Sequence, residues 1–304
     1  MEEKTHKSGF VALLGRPNAG KSTLLNYFVQ QKIAAVSPRP QTTRRRQLGI
    51  LTTDDMQIIF MDTPGVHRAV HKLGEYMNEE ALATLEDADV LLWLFDLTAP
   101  MNEDDEILSE NMQKVSKLPP VILVMNKVDL VTPVQAARRQ AEYQRLMPGA
   151  PIELISSKRG DGIPSLLKDV EELLPKGPRY YEEDQITDLY EREIAIDLIR
   201  AAALIHLRDE VPHEMAVRLE AYEDRSGKAA YISATLLVNR ETHKGIVIGK
   251  EGVMLKTIGR EARKQIEELT GRKVFLELHV KVSKNWRDNP ELLGKLGYVA
   301  RPLE

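Results

Sequence analysis

The sequence predicts an α/β protein in two parts: a doubly wound parallel sheet followed by a smaller α+β module. Three observations predict it. Between residues 8 and 174, short continuous apolar runs alternate with helical stretches, the pattern of strands buried on both faces. Pro175-Lys176-Gly177-Pro178 then breaks the alternation, and the acidic Glu182-Glu183-Asp184 follows. Beyond that break, strands alternate apolar and polar residues, as expected for a sheet with one wet face. The expected organisation is a first domain over 1–177, a linker over 178–187 and a second domain over 188–304. A chain of 304 residues has room for about two cores.

The elements follow in order. Phe10–Leu14, Met56–Met61, Val90–Phe95, Val121–Met125 and Ile152–Ile155 read as buried strands. Lys21–Val29, Glu80–Glu86 and Pro164–Leu174 read as helices between them. The second domain opens with a helix from Asp188 to His206, then strands over Met215–Glu223 and Ala229–Asn239 around the turn Asp224-Arg225-Ser226-Gly227. Next come Gly249-Lys250-Glu251-Gly252, a helix to Leu269, and a strand over Val274–Ser283. In that strand Val274, Leu276, Leu278, Val280 and Val282 mark a single buried face.

Composition narrows the function. The chain has no cysteine, so disulfides, thiolate catalysis and cysteine metal sites are excluded. Apolar content of 42% and charged content of 29% are ordinary for a globular protein. No apolar run is long enough to span a bilayer and no signal-peptide pattern is present, so a cytosolic setting is expected. Net charge is −4, but unevenly spread: 19 Lys+Arg stand against 15 Asp+Glu from Arg200 onward, and 23 against 31 before it. A basic second half suits a polyanionic partner, although mildly basic solvated faces are common.

Chemistry enters at Gly15-Arg16-Pro17-Asn18-Ala19-Gly20-Lys21-Ser22, which fits G-x-x-x-x-G-K-[ST]. An apolar strand precedes it and a helix beginning Lys21-Ser22-Thr23 follows, the context this phosphate loop requires. Backbone N–H groups of such a turn form an anion nest, and the helix N-terminus adds partial positive charge. Lys21 is expected at the β- and γ-phosphates and Ser22 on Mg²⁺. Asp62-Thr63-Pro64-Gly65 ends the second apolar strand. Asp62 is expected to hold Mg²⁺ through a water, while Gly65 lets its N–H approach the γ-phosphate. Asn126-Lys127-Val128-Asp129 ends a further strand. The Asp129 carboxylate can accept from N1–H and the exocyclic amine of guanine, a pair adenine lacks. Asn126 can bond the base or tie loops together, and the Lys127 stem can pack over the base. Ser156-Ser157-Lys158 would complete the base pocket with backbone N–H groups.

These motifs, in this order, resemble the Ras-like, translation-factor-class P-loop GTPases over residues 8–174. The resemblance implies a guanine-nucleotide switch using GTP, GDP and Mg²⁺. It also implies a switch threonine in Gln41-Thr42-Thr43-Arg44, with Thr43 the better match and Thr42 the alternative. Lys21, Thr43 and Gly65 are then the expected catalytic set, and Ser22, Thr43 and Asp62 the metal set. Where Ras-type enzymes carry a water-orienting Gln, this chain has Val66, which implies slow intrinsic turnover. Enzymes with that replacement resemble potassium-assisted GTPases, with Asn18 as the candidate K⁺ ligand.

In the second domain Gly249-Lys250-Glu251-Gly252 fits the G-x-x-G loop of KH modules, which clamps a single-stranded backbone. The element order resembles the type II KH arrangement. Lys244, Lys256, Arg260, Arg263 and Lys264 are candidate phosphate contacts, or a solvated helix face. Ile246, Ile248, Val253 and Ile258 could face RNA, but helical spacing favours the core for each. Trp286 reads as a packing anchor.

Taken whole, a GTPase domain followed by a type II KH domain and the tail Trp286-Arg287-Asp288 … Leu296-Gly297-Tyr298 resembles the Era family of bacterial GTPases. That resemblance implies a monomeric, cytoplasmic protein that binds near the 3′ end of 16S rRNA. It further implies a role in 30S subunit assembly and 16S rRNA processing, with peripheral membrane association. Two other classes fit parts of the chain: a GTPase whose second domain docks a protein or a membrane, and a P-loop ATPase in a nucleic-acid process.

Overall fold

A computed structural model describes residues 6–37, 42–115, 117–225 and 229–298. The chain divides into two units. Unit 1 takes Met1–Gln31, Thr43–Ala69 and Met77–Asp188; unit 2 takes Lys32–Thr42, Val70–Tyr76 and Leu189–Glu304.

The sheet of unit 1 holds β1 (Lys7–Leu14), β2 (Gln47–Thr52), β3 (Met56–Asp62), β4 (Val90–Asp96), β5 (Val121–Asn126) and β6 (Ile152–Leu154), in the order β2-β3-β1-β4-β5-β6. All neighbours run parallel except β2, which pairs antiparallel with β3. Every residue of β4 and β5 is buried, as their unbroken apolar runs require for central strands. Its helices are α1 (Lys21–Phe28), α2 (Lys72–Glu86) from Met77 onward, α3 (Glu103–Met112), α4 (Pro133–Tyr143) and α5 (Ile163–Leu173). On one sheet face, Trp93, Phe95 and Tyr143 pack in series, with ring centroids 4.8 Å and 4.3 Å apart. On the other, Phe28 of α1 stacks on Phe60 of β3 at 4.1 Å. Each such buried ring contributes about 1.5–3 kcal/mol of transfer free energy, so both faces hold the sheet.

No unbroken apolar run marks β2 in the sequence, and the sequence pattern assigns neither α3 nor α4. Residues 178–187, expected as a linker, run along unit 1. The backbone N–H groups of Tyr180 and Tyr181 donate to Gln57 Oε1 at 2.7 Å and 3.0 Å, and Ile50 N–H donates to the Ile186 carbonyl at 2.9 Å.

Unit 2 contains α6 (Glu191–His206), β7 (Met215–Arg225), β8 (Ala229–Val238), α7 (Glu241–Ile248), α8 (Val253–Thr270), β9 (Lys273–Val282) and α9 (Pro290–Lys295). Its sheet order is β7-β8-β9, antiparallel then parallel. Because β8 and β9 are parallel, the chain must cross over between them, and α7 and α8 make that crossover. Ala195, Leu198, Ile199 and Ala202 of α6 meet Ile232, Ala234 and Leu236 of β8 and Ile258, Ala262 and Ile266 of α8 in one core. Trp286 is fully buried and donates Nε1–H to the Glu214 carbonyl at 3.0 Å, the anchoring expected of it. Asp224 and Arg225 extend β7 rather than forming a turn. Ser226 and Gly227, expected in that turn, lie outside the described residues, as does Gln41.

Candidate functional site

Strands β1, β3, β4 and β5 all end at the same edge of the unit 1 sheet, the edge where doubly wound sheets bind ligands. The loop from Gly15 to Gly20 joins β1 to α1 there. Lys21 is buried and donates Nζ–H to the carbonyls of Gly15 at 2.9 Å and Arg16 at 3.2 Å. Burial lowers its pKa from 10.5 to about 8, against the opposing pull of Asp62. A desolvated ammonium capped only by carbonyls is poised to take anionic oxygens.

Ser22, Thr43 and Asp62 come together although they are far apart in sequence. Ser22 Oγ lies 2.7 Å from Asp62 Oδ2 and 2.8 Å from Thr43 Oγ1, and Thr43 Oγ1 donates to Asp62 Oδ2 at 3.0 Å. Of the two candidate switch threonines, the hydroxyl in this cluster belongs to Thr43. The donors are all oxygen, the preference of a hard cation. They lie within hydrogen-bond reach of one another, close enough to share one small ion, Asp62 directly or through a water. The residues therefore fit Mg²⁺. Among the described residues no group of three or more His, Cys, Asp and Glu side chains could hold a metal.

Thr63 is buried and its hydroxyl donates to the Leu13 carbonyl at 2.8 Å, which ties the Asp62–Gly65 loop to β1. At Gly65 the backbone passes so close to the phosphate loop that a Cβ would meet Pro17 N at 2.6 Å. Val66 is fully buried in the core cluster beside Leu14, Met61 and Ala81, so its side chain is turned away from solvent and cannot orient a water.

The base end is assembled by Asn126. Its Nδ2 donates to the Ala19 carbonyl at 2.8 Å and to Ser157 Oγ at 3.0 Å, while its Oδ1 accepts from Lys127 N–H at 2.8 Å and Ser157 N–H at 3.0 Å. Of the two roles open to Asn126, the structure shows the tie between loops. One amide thus joins the phosphate loop, the Asn126–Asp129 turn and the Ser156–Lys158 turn, so these three motifs are held together at one edge of the sheet. Asp129 sits half-buried in a single helical turn over Val128–Leu130.

Two charged side chains do something the motifs did not suggest. Arg16 is turned into the protein: its Nη1 donates to the Pro100 carbonyl at 2.9 Å and to Asp105 Oδ2 at 3.1 Å. That leaves its backbone, not its guanidinium, to serve as a nucleotide contact. Lys127 donates Nζ–H to Asp96 Oδ2 at 2.5 Å. No sequence motif points to Asp96 or Asp105.

In unit 2 the chain turns sharply between α7 and α8. Gly249 has φ +71° and ψ 173°, and a Cβ there would meet Met254 Cβ at 2.8 Å, so this position demands glycine. Lys250, Glu251 and Lys256 are exposed, Lys244 and Gly252 half-buried. The core expectation holds for Ile258, which is fully buried, and fails for two neighbours: Ile246 is 49% exposed and Val253 60%. They flank the loop, where helical spacing alone could not distinguish a core face from an open apolar face.

A family profile described as 50S ribosome-binding GTPase matches residues 10–127, and one described as KH domain matches residues 210–287. With the pocket above, they define a P-loop GTPase that carries a KH domain. The chain is 45% identical over 295 residues to the GTPase Era of Caldanaerobacter subterraneus subsp. tengcongensis, covering 97% of this chain and 98% of that protein. It is 42% identical over 294 residues to the GTPase Era of Halothermothrix orenii, covering 97% and 99%. The chain belongs to the GTPase Era family. Among solved structures, Era in complex with MgGDPNP and nucleotides 1506–1542 of 16S ribosomal RNA aligns with a TM-score of 0.91 at 38% identity, over 97% of this chain and 99% of that one. An Aquifex aeolicus Era variant bound to GDP and AlF4⁻ aligns with a TM-score of 0.90 at 38% identity, over 96% and 99%.

Proposed function

We propose that this chain is a Mg²⁺-dependent GTP switch that binds single-stranded rRNA near the 3′ end of 16S rRNA and assists 30S subunit assembly and 16S rRNA processing. The clustering of Ser22, Thr43 and Asp62 beside Lys21, with the Asn126–Asp129 turn tied to the same phosphate loop, carries this reading. In it, Gly15–Thr23 cradle the phosphates, Ser22 and Thr43 with Asp62 hold Mg²⁺, and Asp62–Gly65 face the γ-phosphate. Asn126, Lys127, Asp129 and Ser156–Lys158 frame the base. Bound Mg²⁺ supplies charge neutralisation on the β- and γ-phosphate oxygens. Thr43 belongs to the first switch loop, so GTP and GDP bias that loop differently, and this is what makes the pocket a switch.

Val66 leaves the attacking water without a side-chain acceptor, so intrinsic hydrolysis is slow and a monovalent cation at Asn18 is the proposed aid. Asn18 holds the left-handed backbone, φ 65°, within the phosphate loop. Hydrolysis is expected to run faster in KCl than in NaCl at equal ionic strength; equal rates would remove K⁺ and Asn18 from the mechanism.

For RNA, Gly249–Gly252 clamp the backbone, Lys250, Lys244 and Lys256 meet phosphates, and exposed Ile246 and Val253 offer apolar contacts to splayed bases. Filter binding to a single-stranded RNA carrying the 16S 3′-terminal segment tests this. Gly249→Asp combined with Lys250→Asp is expected to weaken binding by at least about tenfold, since it reverses charge where phosphates approach. Unchanged RNA affinity would favour the docking-module alternative. We place the protein in the cytoplasm as a monomer. Among the described residues no helix is long and apolar enough to cross a membrane.

A further inference from the structure

The stretch between β4 and α3 holds a residue of the phosphate loop, Arg16, and one of the Asn126–Asp129 turn, Lys127. At its start, Asp96 ends β4 beside Asn126 in the sheet register. Its Oδ2 accepts from Lys127 Nζ at 2.5 Å, and its Oδ1 accepts from the backbone N–H of Thr98 at 2.9 Å and the Thr98 hydroxyl at 2.6 Å. Burial alone would raise this carboxyl's pKa, but the hydrogen bonds from Lys127 and Thr98 hold it below the usual carboxylate range. Lys127 itself sits at φ +67°, a left-handed conformation that a lysine adopts only when its surroundings impose it. Its backbone N–H is fixed by Asn126 and its ammonium by Asp96, so both ends of the four-carbon stem are held.

At the far end of the stretch, Asp105 is fully buried in the first turn of α3. It accepts from Arg16 Nη1 at 3.1 Å and from Asn102 N–H at 3.1 Å, completing a capping box with Asn102. The Pro100 carbonyl takes the other bond from Arg16. Between the two ends, Tyr143 donates its hydroxyl to the Ala99 carbonyl at 3.1 Å, and Met101 N–H donates to Glu142 Oε1 at 3.2 Å. The stretch is therefore braced on α4 and cannot drift at either end independently.

We propose that Asp96–Asp105 is a positioning segment for the nucleotide pocket: Asp96 aims the Lys127 stem at the base, and Pro100 with Asp105 fixes Arg16 and so the first turn of the phosphate loop. This inference rests on the pocket proposed above. Asp96 and Asp105 touch no nucleotide themselves; they act through Lys127 and Arg16.

A double-mutant cycle on GDP affinity tests it, read by displacement of a fluorescent GDP analogue from the full-length protein. Asp96→Asn keeps the size of the side chain and an acceptor for Thr98 but removes the charge that holds Lys127. It is expected to weaken GDP about tenfold in the otherwise native chain and by less than about twofold when Lys127→Met is already present, because the two residues act as one unit. The same cycle between Asp105→Asn and Arg16→Met is expected to show the same coupling, and it serves if an Asp96 variant folds poorly. A merely structural role would lower the melting temperature while weakening GDP equally in both backgrounds. That outcome, or no effect of Asp96→Asn where Lys127→Met alone weakens GDP, overturns the proposal and leaves the pocket intact. If neither Lys127→Met nor Asp129→Asn alters GDP affinity, the pocket itself is misassigned and the positioning role falls with it.

Discussion

Lys21→Ala is expected to weaken GDP and GTP by two to three orders of magnitude. A hydrogen bond between charged groups is worth about 1.5–3 kcal/mol, each tenfold in affinity is about 1.4 kcal/mol, and this ammonium is placed to meet oxygens of two phosphates. Its present partners are two carbonyls of its own loop, Gly15 and Arg16. A carbonyl compensates a desolvated cation poorly, which is why the pKa falls from 10.5 to about 8. The sign of the pH dependence follows. Between about pH 8 and 10.5 the unfolded chain keeps this proton and the folded chain has lost it. Stability therefore rises with pH across that window, and the cost of burying the cation is fully present below it. Phosphate oxygens restore the charged form. Nucleotide binding at about pH 9 should thus take up a proton, and binding at about pH 7 should not. Isothermal titration in two buffers of different ionisation enthalpy measures the uptake. Identical heats in both buffers at about pH 9 would mean that Lys21 does not meet the phosphates.

The parts of this fold that sequence reveals are those whose signal is local. The phosphate loop, Asp62–Gly65 and Asn126–Asp129 each follow an unbroken apolar run, and that run is itself the signature of a strand buried on both faces. Strand β2 carries no such signature. It opens on a polar residue, Gln47, includes Gly49 and ends on Thr52, and it is defined by pairing with β3 rather than by its own composition. Residues 178–187 read as a linker because Pro, Gly and acidic residues usually mark one. Gln57 and Ile50, each more than a hundred positions upstream, reveal that the segment is held. Arg16 and Asp105 are 89 residues apart, and Lys127 and Asp96 are 31 apart. No motif spacing connects them, because the sheet order brings them together and nothing in the chain's linear pattern does. Ile246 and Val253 fail for the converse reason. Their helical spacing is that of core residues, and their exposure depends on where α7 stops at Gly249.

Asp129→Asn is expected to exchange guanine for xanthine preference, a change of about four orders of magnitude in the ratio of GDP to XDP affinities. The carboxylate offers two acceptors, and guanine answers with N1–H and an exocyclic amine. Xanthine carries a carbonyl where that amine stood, so a carboxylate facing it has an acceptor opposite an acceptor. The amide of asparagine supplies the missing N–H. The mismatch is costly in either direction, because a polar group is left facing the base without its bond. Sites built this way discriminate by about 10⁴–10⁵. The substitution should leave the fold in place. Asp129 lies in a single helical turn whose course is set by backbone bonds, Val128 N–H to the Ile155 carbonyl at 3.1 Å and Leu130 N–H to the Lys127 carbonyl at 3.0 Å. Neither bond involves the carboxylate, and asparagine has nearly its shape. Competition of a bound fluorescent guanine nucleotide by GDP, XDP and ADP, in native and variant chains, reads the outcome. The native chain should yield to GDP alone and the variant to XDP. Displacement by ADP in the native chain would make this an adenine pocket, and an undiminished preference of the variant for GDP would place Asp129 away from the base.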